Sequence, residues 1–259
     1  MPSIPRTEPR PRSRTRWIGG AVALLAAALS MGLIVTHFPR APIGPRYVGA
    51  GHEEPQPGGT FVFSAGSNIH TLDPHFAYDT LSMMACRLLY DGLLDYDYEG
   101  TMIPSLAASL PEVSDGGRVF RFTLRDGIEF HNGREITAHD VSWSMHRLLS
   151  QRIGSPGYPF YKSIVGAPTY HEGQADFVEG IVVLDEKTIE FRLDEPDQTF
   201  LNAIAMPFAY PIPREHVERV EREEGVDAVG RHPVGAGPFV FASWERGVQV
   251  ELERFDRYW

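Results

Sequence analysis

The chain has 259 residues, 42% hydrophobic and 11% aromatic, which is enough apolar material to bury one or two cores. Its net charge of −10 hides an asymmetry: residues 1–46 carry seven Arg against one acid, Glu8, leaving 17 basic and 33 acidic residues, or −16, for 47–259. So acidic a body excludes nucleic acid as a partner, because affinity for phosphate backbones comes from cationic side chains.

Arg6, Arg10, Arg12, Arg14 and Arg16 precede an apolar run from Trp17 to Val35. Basic residues ahead of such a run mark a segment that enters a membrane with its N-terminus kept in the cytoplasm. The run spans roughly 28 Å as a helix, close to the hydrocarbon thickness of a bilayer. That length favours an uncleaved signal anchor over a cleaved signal peptide, whose apolar core is shorter. Residues 1–16 then form a basic cytoplasmic n-region, 17–35 the anchor or signal peptide, and 36–57 a Pro- and Gly-rich linker. The body is expected to be periplasmic or otherwise extracytoplasmic, held at the inner membrane by 17–35.

Thr60-Phe61-Val62-Phe63-Ser64 reads as a first strand. Thr80 is placed to cap a helix whose inner face is Leu81, Met84, Ala85, Leu88 and Leu89. The lone cysteine, Cys86, lies in this pattern and reads as a small buried hydrophobe. Phe120, Phe122 and Leu124 alternate with Arg121 and Thr123, the period of a half-buried strand. His131-Asn132-Gly133 is a turn. Thr137 with Asp140 predicts a capping box for a helix with Val141, Met145, Leu148 and Leu149 on its inner stripe. Hairpins are predicted for 181–193, turning at Asp185-Glu186-Lys187, and for 239–252, turning at Arg246-Gly247. Strands and helices follow no βαβ rhythm, so the fold class is mixed α/β or α+β and not a doubly wound sheet.

Signatures of catalysis are weak. The sequence has no nucleophile-elbow, phosphate-loop or paired-cysteine motif, and Gly235-Ala236-Gly237 precedes a strand where a dinucleotide fingerprint would open a helix. His139 and His146 share a helix face without a zinc spacing. His70 and His75 flank Asp73, so a metal site or an imidazole–carboxylate pair stays open beside the plainer reading of an ordinary loop. Asp95 and Asp97 read as solvated turn residues. No metal and no cofactor is expected.

Several segments then form an ordered series: Gly58-Gly59-Thr60-Phe61, Leu72-Asp73-Pro74-His75, Leu89-Tyr90-Asp91-Gly92-Leu93-Leu94, Ile103-Pro104-Ser105-Leu106-Ala107, 122–133, Ile136-Thr137-Ala138-His139-Asp140-Val141, Gly235-Ala236-Gly237-Pro238-Phe239, Leu252-Glu253-Arg254-Phe255 and Tyr258-Trp259. Taken together they resemble the family 5 bacterial extracellular solute-binding proteins, which include oligopeptide-, dipeptide- and nickel-binding components of ABC transporters.

The resemblance implies a periplasmic-binding-protein-like type II lobe with a smaller inserted domain. Residues 58–89 and 206–259 would build lobe one and 90–205 the inserted domain, with the second lobe missing and the sequence truncated at its C-terminal end. It implies a non-enzymatic receptor that captures a peptide or other small solute for a permease and ATPase complex; nickel, heme and sugar ligands stay open. Ser67, Asn68, Ile69, His70 and Thr71 are the expected ligand-bordering loop, and Tyr158 and Tyr161 lie in a second loop able to reach the ligand. The rival readings are a membrane-anchored envelope hydrolase using His70, Asp73 and His75, and a solute-sensing module.

Overall fold

A computed structural model describes residues 58–259; the expected n-region, the 17–35 segment and the linker to residue 57 lie outside the described residues. Among the described residues no helix is long and apolar enough to cross a membrane.

The 60–64 segment forms no strand. Phe61, Val62 and Phe63 are 89%, 80% and 62% exposed. Alternation alone does not make a strand; the backbone needs a hydrogen-bonded neighbour, and no described strand pairs with this one.

Helix α1 covers Thr80–Leu89. Its N-cap is Asp79, whose carboxylate accepts from the Ser82 N–H at 2.9 Å, so Thr80 is the first helical residue instead of the cap. The buried face is Ser82, Ala85, Cys86 and Leu89, while Met84 and Leu88 remain 45% and 42% exposed. The helix is rotated from its apolar stripe because Ser82 turns inward to accept hydrogen bonds from the preceding loop.

Strands β1 (Leu94–Tyr96) and β2 (Met102–Pro104) pair as a short hairpin. Strands β3 (Glu112–Ser114), β4 (Val119–Thr123), β5 (Ile181–Val183) and β6 (Thr188–Arg192) form an antiparallel sheet in the order β3-β4-β6-β5. The alternation in β4 sets its register: Phe120 faces Phe191 and Phe122 faces Ile189, all buried on one side. Helix α2 (Ala138–Leu149) packs on this sheet. Its capping box forms as expected, the Thr137 N–H donating to Asp140 at 2.9 Å, and Val141, Met145, Leu148 and Leu149 are all buried. The short helices α3 (Ala167–His171) and α4 (Phe200–Ile204) complete this layer, with Phe200 packed at a tilt on Phe120 and edge-on to Phe191. Helix α5 (Arg214–Glu224) then leads to the hairpin of β7 (Phe239–Glu245) and β8 (Gln249–Arg254), which carries a bulge between Phe241 and Ser243.

The buried apolar residues separate into two clusters. One runs from Leu93 to Ala209 and includes Ala236; the other joins Leu72–Tyr90 to Tyr210–Val229, with Trp244, Val250 and Leu252 packed against it.

Candidate functional site

The loop ahead of α1 is fixed by few hydrogen bonds. Ser82 Oγ accepts from the His70 and Thr71 N–H groups at 3.0 and 3.2 Å, and Thr71 Oγ1 accepts from the Asp73 N–H at 3.0 Å. Ser67, Asn68 and His70 are exposed, and Ile69 is half-buried against the second cluster. Among the described residues, the N–H groups of Ser67, Asn68 and Ile69 make no hydrogen bond.

Downstream the backbone dives inward. Leu72, Asp73, Pro74 and His75 are buried, and the Phe76 and Ala77 N–H groups turn back to the Asp73 carbonyl. Asp73 is gripped by Arg147 of α2: Nη1 donates to Oδ1 at 3.2 Å and Nη2 to Oδ2 at 2.8 Å. The same guanidinium donates to His75 Nδ1 at 2.9 Å and through Nε to Glu221 of α5 at 2.9 Å. His75 Nε2 lies 3.3 Å from the Tyr210 carbonyl, which assigns the ring proton to Nε2. Burial, and then the Arg147 charge, push His75 down to about 4.

This geometry removes the hydrolase arrangement. Asp73 and His75 are 2% and 0% exposed, and both imidazole nitrogens are occupied, while His70 points to solvent. No nitrogen of His75 is free to take a substrate proton or to ligate a metal. Among the described residues no group of three or more His, Cys, Asp and Glu is placed to hold a metal ion.

The second expected loop follows α2. Ser155 Oγ donates to the His75 carbonyl and accepts from the Gly157 N–H at 3.0 Å. A Cβ on Gly157 would stand 2.7 Å from the Phe208 ring, so only glycine lets the loop lie against it. Tyr161 is a correction to the sequence reading. It is 0% exposed, and its hydroxyl donates to the Ala203 carbonyl at 2.7 Å inside the first cluster, out of reach of a ligand. Tyr158 is half-buried and stacks on His171 with ring centroids 3.7 Å apart.

Two exposed aromatics near these loops were passed over by the sequence reading. Phe160, 43% exposed, and Tyr78, 66% exposed, each stack on the buried Phe208, with centroids 6.0 and 6.2 Å away. They form an aromatic platform with a fixed base. The available signal was the Pro- and Gly-punctuated context of Phe160 and the Pro74 loop ahead of Tyr78, since a large aromatic in such a loop has little local packing to bury it.

A separate groove of about 510 Å³ runs between α2, α3 and α5, lined by Trp143, His146, Tyr170 and charged neighbours. Several of those charges are paired within it: Arg147 and Arg152 on Glu221, and Arg214 on Glu218.

Residues 101–259 match the family described as bacterial extracellular solute-binding proteins, family 5 Middle. The chain is 32% identical over 216 residues to the peptide transport periplasmic protein SapA of Salmonella typhimurium, covering 77% of this chain and 37% of that protein. It is also similar to the substrate-binding domain of an oligopeptide ABC transporter from Bacillus anthracis, with a TM-score of 0.69 at 29% identity over 76% of this chain and 38% of that one. Haemophilus influenzae OppA in complex with the peptide RPPGFSPFR gives 0.68 at 25% identity, over 75% of this chain and 38% of that one. This chain therefore spans well under half the length of these relatives. The mixed α/β architecture is that of the periplasmic peptide-binding proteins, and the chain belongs to the bacterial extracellular solute-binding proteins, family 5.

Proposed function

We propose that this chain supplies one ligand-facing half of a solute receptor that captures a peptide or a similar small solute and delivers it to an ABC transporter permease and ATPase complex, leaving the cargo's bonds intact. The observation that carries this reading is the platform of Tyr78 and Phe160 stacked on Phe208, on the loops that flank the Arg147 anchor. An extended peptide would lay its backbone along Ser67–Ile69 and rest a side chain on the aromatic rings. Main-chain pairing of this kind gives affinity without demanding one sequence.

The two apolar clusters support a domain plan to within a few residues of its boundaries. In this reading 58–89 and 206–259 form lobe one and 90–205 an inserted domain, a division supported by where one cluster gives way to the other, between Tyr90 and Leu93 and between Ala209 and Tyr210. Residues 17–35 would keep the receptor at the inner membrane, facing the periplasm.

The test is a titration of the isotope-labelled full chain in detergent micelles with Ala-Ala-Ala and with RPPGFSPFR, read by NMR. The expected result is weak, saturable binding with shifts concentrated at 67–71, Tyr78 and Phe160. Shifts confined to the groove around Trp143, or cleavage of either peptide, would refute the proposal.

A further inference from the structure

We propose that Arg147 is a positioning residue for ligand capture, holding the Tyr78 and Phe160 loops in their binding arrangement through Asp73, His75 and Ser155. The inference rests on the reading of Tyr78 and Phe160 as ligand-facing.

Arg147 lies on the buried side of α2, where Val141, Met145 and Leu148 already supply the packing. An arginine there loses its hydration and must recover it from fixed partners. It finds three partners on two separate segments: Asp73 and His75 before α1, and Glu221 on α5, with its own side chain only 2% exposed. A lysine would supply the charge but not the planar fork that meets two carboxylates and an imidazole at once.

From this node a series of bonds leads to each aromatic ring. Toward Tyr78, Asp73 Oδ1 accepts from the His75 N–H at 3.0 Å, and the Asp73 carbonyl receives the Ala77 N–H at 3.0 Å, one residue before Tyr78. Toward Phe160, the His75 ring is held between Arg147 and the Tyr210 carbonyl, the His75 carbonyl receives Ser155 Oγ, and Ser155 Oγ receives the Gly157 N–H. The Gly157 carbonyl then takes the Phe160 N–H at 3.0 Å. Each link is a directional hydrogen bond between groups with little freedom of their own, and Phe208 under both rings keeps them in register.

The experiment compares the full chain with Ser155→Ala and Arg147→Lys by amide hydrogen exchange and by the Ala-Ala-Ala titration. Ser155→Ala removes one relay hydroxyl and leaves the buried ion pair alone, so it stays interpretable if the lysine variant unfolds. In Ser155→Ala the amides of Gly157 and Phe160 should exchange roughly fivefold faster, the factor set by one net hydrogen bond. The 119–123 amides should keep their protection, and the peptide-induced shifts at Phe160 should weaken. A purely structural role would instead raise exchange across 119–123 and 155–161 alike, or leave Ala-Ala-Ala binding unchanged, and either outcome overturns the proposal. Absence of peptide shifts in the unmodified protein would sink the functional reading by itself, while the exchange data still decide whether the relay holds the loop.

Discussion

Arg147 and Asp73 meet through two nitrogens and two oxygens, at 3.2 and 2.8 Å, with both side chains 2% exposed. Such a pair gives little net stability over an apolar replacement, yet it is costly to break, because the surviving partner is left charged and unsolvated. Arg147→Ala strands Asp73 and half of Glu221's partners, and should cost about 3–5 kcal/mol in urea unfolding. Arg254→Ala, which removes an exposed pair with Asp256, should cost under about 1 kcal/mol. Equal costs for the two would contradict the burial argument.

His75 makes stability depend on pH. Its folded value is depressed from 6.5 to about 4, so below pH 6.5 the unfolded state binds a proton that the folded state refuses. The stabilisation is therefore complete above 6.5 and is lost as pH falls toward 4. Asp91 slopes the other way, since burial pushes it up to about 6 against hydrogen bonds from Tyr258 and Trp259. Comparing the native protein with His75→Gln cancels Asp91. The stability difference between the two should shrink by about 3 kcal/mol from pH 7 to pH 4. A constant difference across that range would show that His75 does not titrate as its surroundings dictate.

Tyr161 and Phe160 are adjacent in sequence and opposite in role. Tyr161→Phe removes one donor from the Ala203 carbonyl, which keeps the Met206 N–H at 2.9 Å, and should cost about 1 kcal/mol with no change in ligand response. Phe160→Ala should leave the melting temperature almost unchanged and abolish the peptide response. Thermal melts paired with the peptide titration check both, and a ligand defect in Tyr161→Phe would restore the sequence reading of that residue.

Gly235 tests a motif that resembles a nucleotide fingerprint and works instead through packing. A Cβ there would fall 2.1 Å from the Leu89 carbonyl and 2.4 Å from the Tyr90 ring. Gly235→Ala should destabilise by roughly 2 kcal/mol or more, as overpacking against backbone does. Gly247→Ala meets no atom within 4 Å, so any cost there is backbone strain alone at its φ of 77°. Chemical denaturation of both variants gives the comparison.

Strand β4, helix α2 and the 181–193 and 239–252 hairpins were legible because their signals are local, whereas β3, the β4–β6 pairing and the β1–β2 hairpin were not read. Phe120 and Phe122 alternate, Thr137 and Asp140 stand at capping distance, and Asn132-Gly133 and Arg246-Gly247 mark reversals. The misreadings came from interactions distant in sequence. Thr60–Ser64 has strand composition but no described partner, and α1 is turned by Ser82, whose hydroxyl serves a loop twelve residues back. The Ser67–Thr71 loop was expected to border the ligand by resemblance alone. Tyr78 and Phe160 were passed over, because only the fold shows that both stack on Phe208. Arg147 was hidden by its position among the apolar residues of α2, where its one visible clue was a charge on an otherwise buried stripe.

The most direct measurement is photocrosslinking of biotinylated RPPGFSPFR from a benzoylphenylalanine placed at one position at a time. Positions 78 and 160 should capture the peptide in competition with unlabelled peptide. Positions 98 and 177, whose native Tyr98 and Phe177 are 90% and 65% exposed but stand outside the platform, should not. Equal capture from all four positions, or capture from 98 or 177 alone, would contradict the placement of the ligand on the Tyr78 and Phe160 rings.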